Sequence, residues 1–189
     1  MTTRIIALVG SLRSGSHNRQ LAEAAVKLAP EGVEVVIQEE IADLPFYNED
    51  LDIEGAVPAV AAKLREDATA ADAFLLFSPE YNGTIPAVLK NAIDWYSRPY
   101  GAGSFAGKPV AVVGTAYGQF GGVWAQDEAR KAVGIAGGAV LEEVKLSVPG
   151  SVVRFAETHP ADDEEVAQQL VAVLDELAKA ATAAAPQAV

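Results

Sequence analysis

The chain has 189 residues, half of them hydrophobic, no cysteine, and 26 acidic against 14 basic side chains, for a formal charge of −12. That length suits one domain with a full core, and the acidity argues against a nucleic-acid backbone or an anionic membrane as partner. The missing cysteine removes disulfides, thiolate metal sites, Fe–S clusters and cysteine nucleophiles together.

The first apolar run, Ile5 to Val9, ends at Gly10-Ser11, too short for a signal or a membrane span, so a soluble cytoplasmic protein is expected. Further runs follow at Val33 to Ile37, Ala73 to Phe77, Val110 to Val113 and Ala139 to Leu141, with helical spacing over 18–29, 58–70, 86–97, 122–135 and 162–181. Strands alternating with helices predict a five-stranded parallel sheet covered on both faces. Ala73 to Phe77 has no polar alternation and belongs near its middle. A flavodoxin-like strand order, 2-1-3-4-5, and a truncated Rossmann domain both fit. Pro160 and the acids Asp162 to Glu165 suit the first turn of the last helix. The Ala-rich end offers nothing to pack, so the reading is one domain over 1–180 and a disordered tail over 181–189. With only His17 and His159, no metal site is expected.

The first strand runs into Gly10-Ser11-Leu12-Arg13-Ser14-Gly15-Ser16-His17-Asn18. A phosphate-binding P-loop would need lysine where Ser16 stands, and a dinucleotide fingerprint would need a glycine at Leu12. What remains is Ser11, Arg13, Ser14, Ser16 and Asn18 at a helix N-terminus, donors suited to a compact anion such as the terminal phosphate monoester of FMN. Asn18 is equally an N-cap. His17 either meets the ligand or is solvated, and Arg19 either reaches the same anion or lies on the surface.

The loop after the third strand reads Ser78-Pro79-Glu80-Tyr81-Asn82-Gly83-Thr84-Ile85-Pro86. Its prolines make it rigid, with Thr84 a cap and Pro86 the first helical residue. It either presents Tyr81 and Asn82 to a flat ligand such as an isoalloxazine ring or is an ordinary turn with Tyr81 as a lid. After the fourth strand, Gly114-Thr115-Ala116-Tyr117-Gly118-Gln119-Phe120-Gly121-Gly122 permits close backbone approach to a ring edge, or is merely flexible. The next helix would aim its N-terminus at a ring carbonyl or an anionic N1. All these loops leave the carboxyl edge of the sheet, so one site is implied.

Gly10-Ser11-Leu12-Arg13, Ser16 and Asn18, then Pro79-Glu80-Tyr81-Asn82-Gly83 leading into Lys90-Asn91-Ala92-Ile93-Asp94-Trp95, then Thr115 with Gly121-Gly122, resemble the NADPH-dependent FMN reductase family over about residues 4–178. That family includes flavodoxin-like quinone, chromate and azo-dye reductases. The resemblance implies a flavodoxin-like three-layer sandwich and bound FMN. The phosphate would lie on Ser11, Arg13, Ser16, His17 and Asn18, the ring against Pro79, Glu80, Tyr81, Asn82 and Gly83, and the ring edge near Thr115, Tyr117 and Gly118. It also implies a homodimer or homotetramer. The apolar surplus of Val88, Leu89, Ala92, Ile93, Trp95 and Tyr96 supports association, though Trp95 is equally a core residue.

With the chemistry carried on FMN N5, no catalytic side chain is required. The expected activity is ping-pong hydride transfer from NADPH or NADH through FMN to a quinone, free flavin, azo or metal-ion acceptor. Arg98 either meets substrate or pairs across a dimer. The rival reading is a flavodoxin-type one-electron carrier that does not itself oxidise NAD(P)H, for which the acidity would suit docking to basic partners.

Overall fold

The computed structural model describes residues 2–184. Five parallel strands, β1 (Thr3–Val9), β2 (Val33–Ile37), β3 (Ala73–Phe77), β4 (Pro109–Thr115) and β5 (Ala139–Val148), form one sheet in the order β2-β1-β3-β4-β5. The flavodoxin-like order is the one adopted.

Strand side chains point alternately to the two faces, and the core divides accordingly. Ile5, Ala7, Val9, Ala73, Leu75, Phe77, Ala111 and Val113 pack with α1 (His17–Lys27) and α6 (Glu164–Ala184). Ile6, Leu8, Phe74, Leu76, Val110 and Val112 pack with α2 (Ala59–Thr69), α3 (Ala87–Tyr96) and α4 (Val123–Ile135). Both sets are buried, which is why the central strands read as unbroken apolar runs.

β5 is the strand that the sequence understated. It runs on to Val148 through exposed Glu142 and Glu143, and its pairing with β4 shifts register between Val110 and Val112. An edge strand open to water on part of its length alternates in polarity and hides its own extent. A short helix, α5 (Ser151–Arg154), and single turns over Glu39–Asp43, Glu49–Leu51 and Pro160–Asp162 were also not anticipated.

Caps depart from expectation in three places. Ser16, not Asn18, caps α1, its Oγ accepting from the Arg19 N–H at 3.3 Å. Pro86 precedes α3 rather than opening it, and the Thr84 hydroxyl donates to Glu128 instead of capping. At the start of α6, Asp163 Oδ1 accepts from the Val166 N–H at 3.1 Å. That helix continues through Ala184, past the start expected for the tail; residues 185–189 lie outside the described residues.

Trp95 and Tyr96 are fully buried within the chain, so the apolar surplus of α3 is core and carries no argument for association.

Candidate functional site

β1, β3 and β4 are neighbours in the sheet. After β1 the chain turns to one face and after β3 to the other, which opens a crevice at their carboxyl ends. Backbone bonds extend the ladder to its lip: Gly10 N–H donates to Phe77 O at 2.8 Å and Ser78 N–H to Val113 O at 2.9 Å.

The first loop presents donors. Among the described residues, the backbone N–H groups of residues 11–15, 17 and 18 have no protein acceptor. They surround the α1 N-terminus, where the helix dipole adds positive potential. Gly15, at φ +67°, turns the loop. Arg13 is exposed, its Nη1 touching only the Ser14 carbonyl at 3.2 Å. Ser11 is half-buried, while Ser16 is buried and committed to its cap. His17 leans on Phe155, ring centroids 5.8 Å apart. Burial and then the Arg13 charge hold its imidazole below the usual histidine range, so it is neutral at pH 7.

Arg19 is not directed at this loop. Its guanidinium forms a two-pronged pair with Glu39 at 2.5 and 2.6 Å and meets Glu23 at 2.9 Å. Those carboxylates offset the unfavourable placement of a cation in a first helical turn.

Asn18 is buried and faces sideways rather than up. Its Nδ2 donates to Thr115 O at 2.8 Å and its Oδ1 accepts from Thr115 N–H at 3.0 Å. Thr115 Oγ1 in turn donates to Val148 O at 2.7 Å. This chain of bonds ties α1, β4 and β5 together beneath the crevice. What Asn18 can offer a ligand is its backbone N–H; the side chains of Asn18 and Thr115 are both committed to the protein.

The second loop is a tight turn. Tyr81 and Thr84 exchange backbone bonds at 3.2 Å in each direction, with Asn82 at φ 54° and Gly83 at φ 77° between them. Two positive φ angles are the signature of a type I′ turn, for which Asn-Gly is the preferred pair. Pro79 is buried at its base and Tyr81 half exposed on its flank. Glu80 does not face the crevice: its Oε2 accepts from the Trp124 and Ala125 N–H groups at 3.1 and 3.3 Å, the first turn of α4. The α4 N-terminus is therefore occupied by a protein carboxylate instead of aiming at a ring atom.

In the third loop Gly121 and Gly122 are structural. A Cβ on Gly121, whose φ is +63°, would fall 2.7 Å from Ser147 C. Gly118 has open space around it, and Tyr117, Phe120 and Trp124 project outward, the last two with ring centroids 5.4 Å apart. Trp124 was not anticipated; its signal is a large aromatic in the first turn of a helix, where no core position explains it.

A fourth loop joins the same edge, residues 38–58 after β2. Asn91 Oδ1 accepts from Tyr47 N–H at 2.9 Å, and Trp95 Nε1 donates to Pro45 O at 2.8 Å. Arg65 pairs with Asp52 through both guanidinium arms at 2.6 and 2.7 Å. These bonds give Asn91 and Trp95, at the end of the second motif, a positional role. Arg98 lies apart from the crevice, over the Tyr47 ring, and borders a groove of about 730 Å³ between α3 and α4 that none of residues 10–18 or 79–83 lines. Among the described residues no cluster of His, Cys, Asp and Glu is placed to hold a metal ion, and no helix is long and apolar enough to cross a membrane.

Unpaired amide donors, a free guanidinium and exposed aromatic rings around one crevice fit a ligand with a compact anionic end and a flat body. On this sheet order they define a flavodoxin-like, mononucleotide-binding class of protein.

Residues 3–152 match the family described as NADPH-dependent FMN reductase, and the chain belongs to that family. It is by membership an NAD(P)H-dependent flavin oxidoreductase. A quinone reductase of Pseudomonas putida is 38% identical over 160 residues, 85% of each chain. A 2-hydroxy-1,4-benzoquinone reductase of a Burkholderia species is 39% identical over 158 residues, 84% of this chain and 82% of that one. The solved structure of FerB, an NAD(P)H:(acceptor) oxidoreductase from Paracoccus denitrificans, superposes with a TM-score of 0.85 at 32% identity, covering 96% of this chain and 98% of that one.

Proposed function

We propose that the crevice holds FMN, with its phosphate over the α1 N-terminus and its ring between the Tyr81 turn and the Tyr117–Gly118 loop, and that the protein passes hydride from NAD(P)H to a quinone. The observation that carries this is the run of unpaired N–H groups at residues 11–15, 17 and 18, in a loop that also carries the exposed Arg13 guanidinium. Bound FMN supplies two-electron redox chemistry. The residues on this chain bind and orient: Ser11, Arg13 and the loop amides take the phosphate, and Pro79 fixes the height of the turn that flanks the ring. His17, packed on Phe155, adds a hydrogen-bonding nitrogen at the rim.

Tyr117, Phe120 and Trp124, exposed on the loop and helix that follow β4, suit a flat acceptor. With FMN seated in the crevice, NAD(P)H and the acceptor would use the same opening in turn, a ping-pong sequence. Quinones come first among acceptors because the similar reductases are named for them. Free flavins, azo compounds and oxidised metal ions are further acceptors of the same exposed edge. Membership of a reductase family favours this reading over a one-electron carrier.

Arg13→Ala tests the phosphate site. Losing one charge-assisted hydrogen bond is expected to weaken FMN binding by about 1–3 kcal/mol, roughly fivefold to 150-fold in Kd, in a fluorescence titration of the apoprotein. An unchanged Kd would remove Arg13 from the site.

We also assign the α3/α4 groove to self-association. It joins the partly exposed Ile85 and Ile135, the latter 78% exposed, with Lys90, Asp94, Glu128 and Lys131, a mixture of apolar surface and both charge signs that can complement itself about a two-fold axis. Ile135→Asp should reduce the mass measured by light scattering to that of a monomer; a mass identical to wild type refutes the assignment.

A further inference from the structure

Glu80 lies in the turn that flanks the proposed ring position, yet its carboxylate reaches across to another element. Oε2 accepts from Trp124 N–H at 3.1 Å and Ala125 N–H at 3.3 Å. These are first-turn amides of α4, a helix with no side-chain cap at its own Gly122. The same turn is tied to α4 a second time, through the Thr84 hydroxyl and Glu128. The third loop is held from its other side: Gln126 Nε2 donates to Gly121 O at 3.0 Å, and Ser147 Oγ donates to Gln126 Oε1 at 2.7 Å.

Two consequences follow from charge and geometry. The second loop is joined to the first turn of α4, the helix into which the third loop runs, by Glu80 and again by the Thr84–Glu128 bond, so two loops that leave different strands share one anchorage. The positive end of α4, about half an elementary charge, is met by a full negative charge at hydrogen-bond distance.

We propose that Glu80 is a positioning residue which locks the two ring-flanking loops together and screens the flavin from the α4 dipole. The proposal rests on the FMN reading above, and its test separates the two. The experiment compares wild type, Glu80→Gln and Glu80→Ala by titration of each apoprotein with FMN, by the midpoint potential of bound FMN, and by amide exchange at Trp124 and Ala125.

Glutamine keeps an acceptor at the end of the same side chain and loses only the charge. It should hold FMN within about threefold of wild type, because a neutral acceptor still joins the loops, while the midpoint potential becomes more positive. Alanine removes the Glu80 link and leaves only the Thr84–Glu128 bond between the turn and α4. It should weaken FMN roughly tenfold or more and speed exchange of both amides.

An unchanged midpoint potential in Glu80→Gln overturns the screening role. Wild-type FMN affinity and amide exchange in Glu80→Ala overturn the link between the loops. If Glu80→Ala does not fold, Glu80→Gln alone still decides the electrostatic half. Failure of the wild-type apoprotein to bind FMN at all would instead sink the reading of the crevice, and the proposal with it.

Discussion

Gly114→Ala is expected to be the most damaging small substitution in the chain. A Cβ there would fall 2.2 Å from Ser78 O and 3.1 Å from both Ser78 C and Asn18 Oδ1. The first distance is far inside any carbon–oxygen contact, and the atom it strikes is backbone. Ser78 cannot turn away, because its N–H donates to Val113 O at 2.9 Å and its hydroxyl to Pro79 O at 2.9 Å. Relief has to come from parting β3 and β4 at the lip of the crevice. The expected loss is about 3 kcal/mol or more, above the usual range for an added methyl group because no rotamer absorbs it. Urea denaturation reads the stability and FMN titration the site. A variant within about 1 kcal/mol of wild type would mean that the strands separate more easily than their bonding indicates.

Asn18→Ala comes second, and it distinguishes a ligand contact from a structural tie. If the Asn18 carboxamide held phosphate, its removal would weaken FMN and leave the apoprotein stable. The bonds to Thr115 predict the opposite emphasis. Alanine leaves the buried N–H and C=O of Thr115 without partners, and an orphaned buried polar group costs about 1–3 kcal/mol. The apoprotein should therefore lose about 2–4 kcal/mol before any ligand is added. Thermal unfolding of the apoprotein provides the measurement; an unaltered Tm would return Asn18 to the ligand.

How much of this was legible in the chain depended on the range of the interactions. Ala73–Phe77 and Val33–Ile37 are found where their apolar runs place them, because burial on the sheet leaves its mark on consecutive residues. β5 is read only at its start, Ala139 to Leu141, because Glu142 and Glu143 face water in the middle of it. The crevice itself was legible: glycine, hydroxyl and proline clusters follow β1, β3 and β4, and parallel strands deliver all of them to one edge.

The atoms that face the ligand were not legible. Asn18 and Thr115 are 97 residues apart, and Glu80 and Trp124 are 44 apart. A polar side chain beside a loop looks the same in sequence whether it greets a ligand or fastens a neighbour. Arg19 illustrates the ambiguity, since its partner Glu39 sits beyond the next strand.

The sheet also acts as a partition. The helix whose first amides are proposed to face phosphate, α1, packs with α6 on one side, and the helices anchoring the Tyr81 turn and the Gly121 loop, α3 and α4, pack on the other. The two grips proposed for a mononucleotide thus draw their rigidity from separate interiors, divided by a wall of backbone hydrogen bonds. Sequence change can accumulate in one compartment, reshaping the rim where acceptors arrive, while the hold on the anionic end stays as it was.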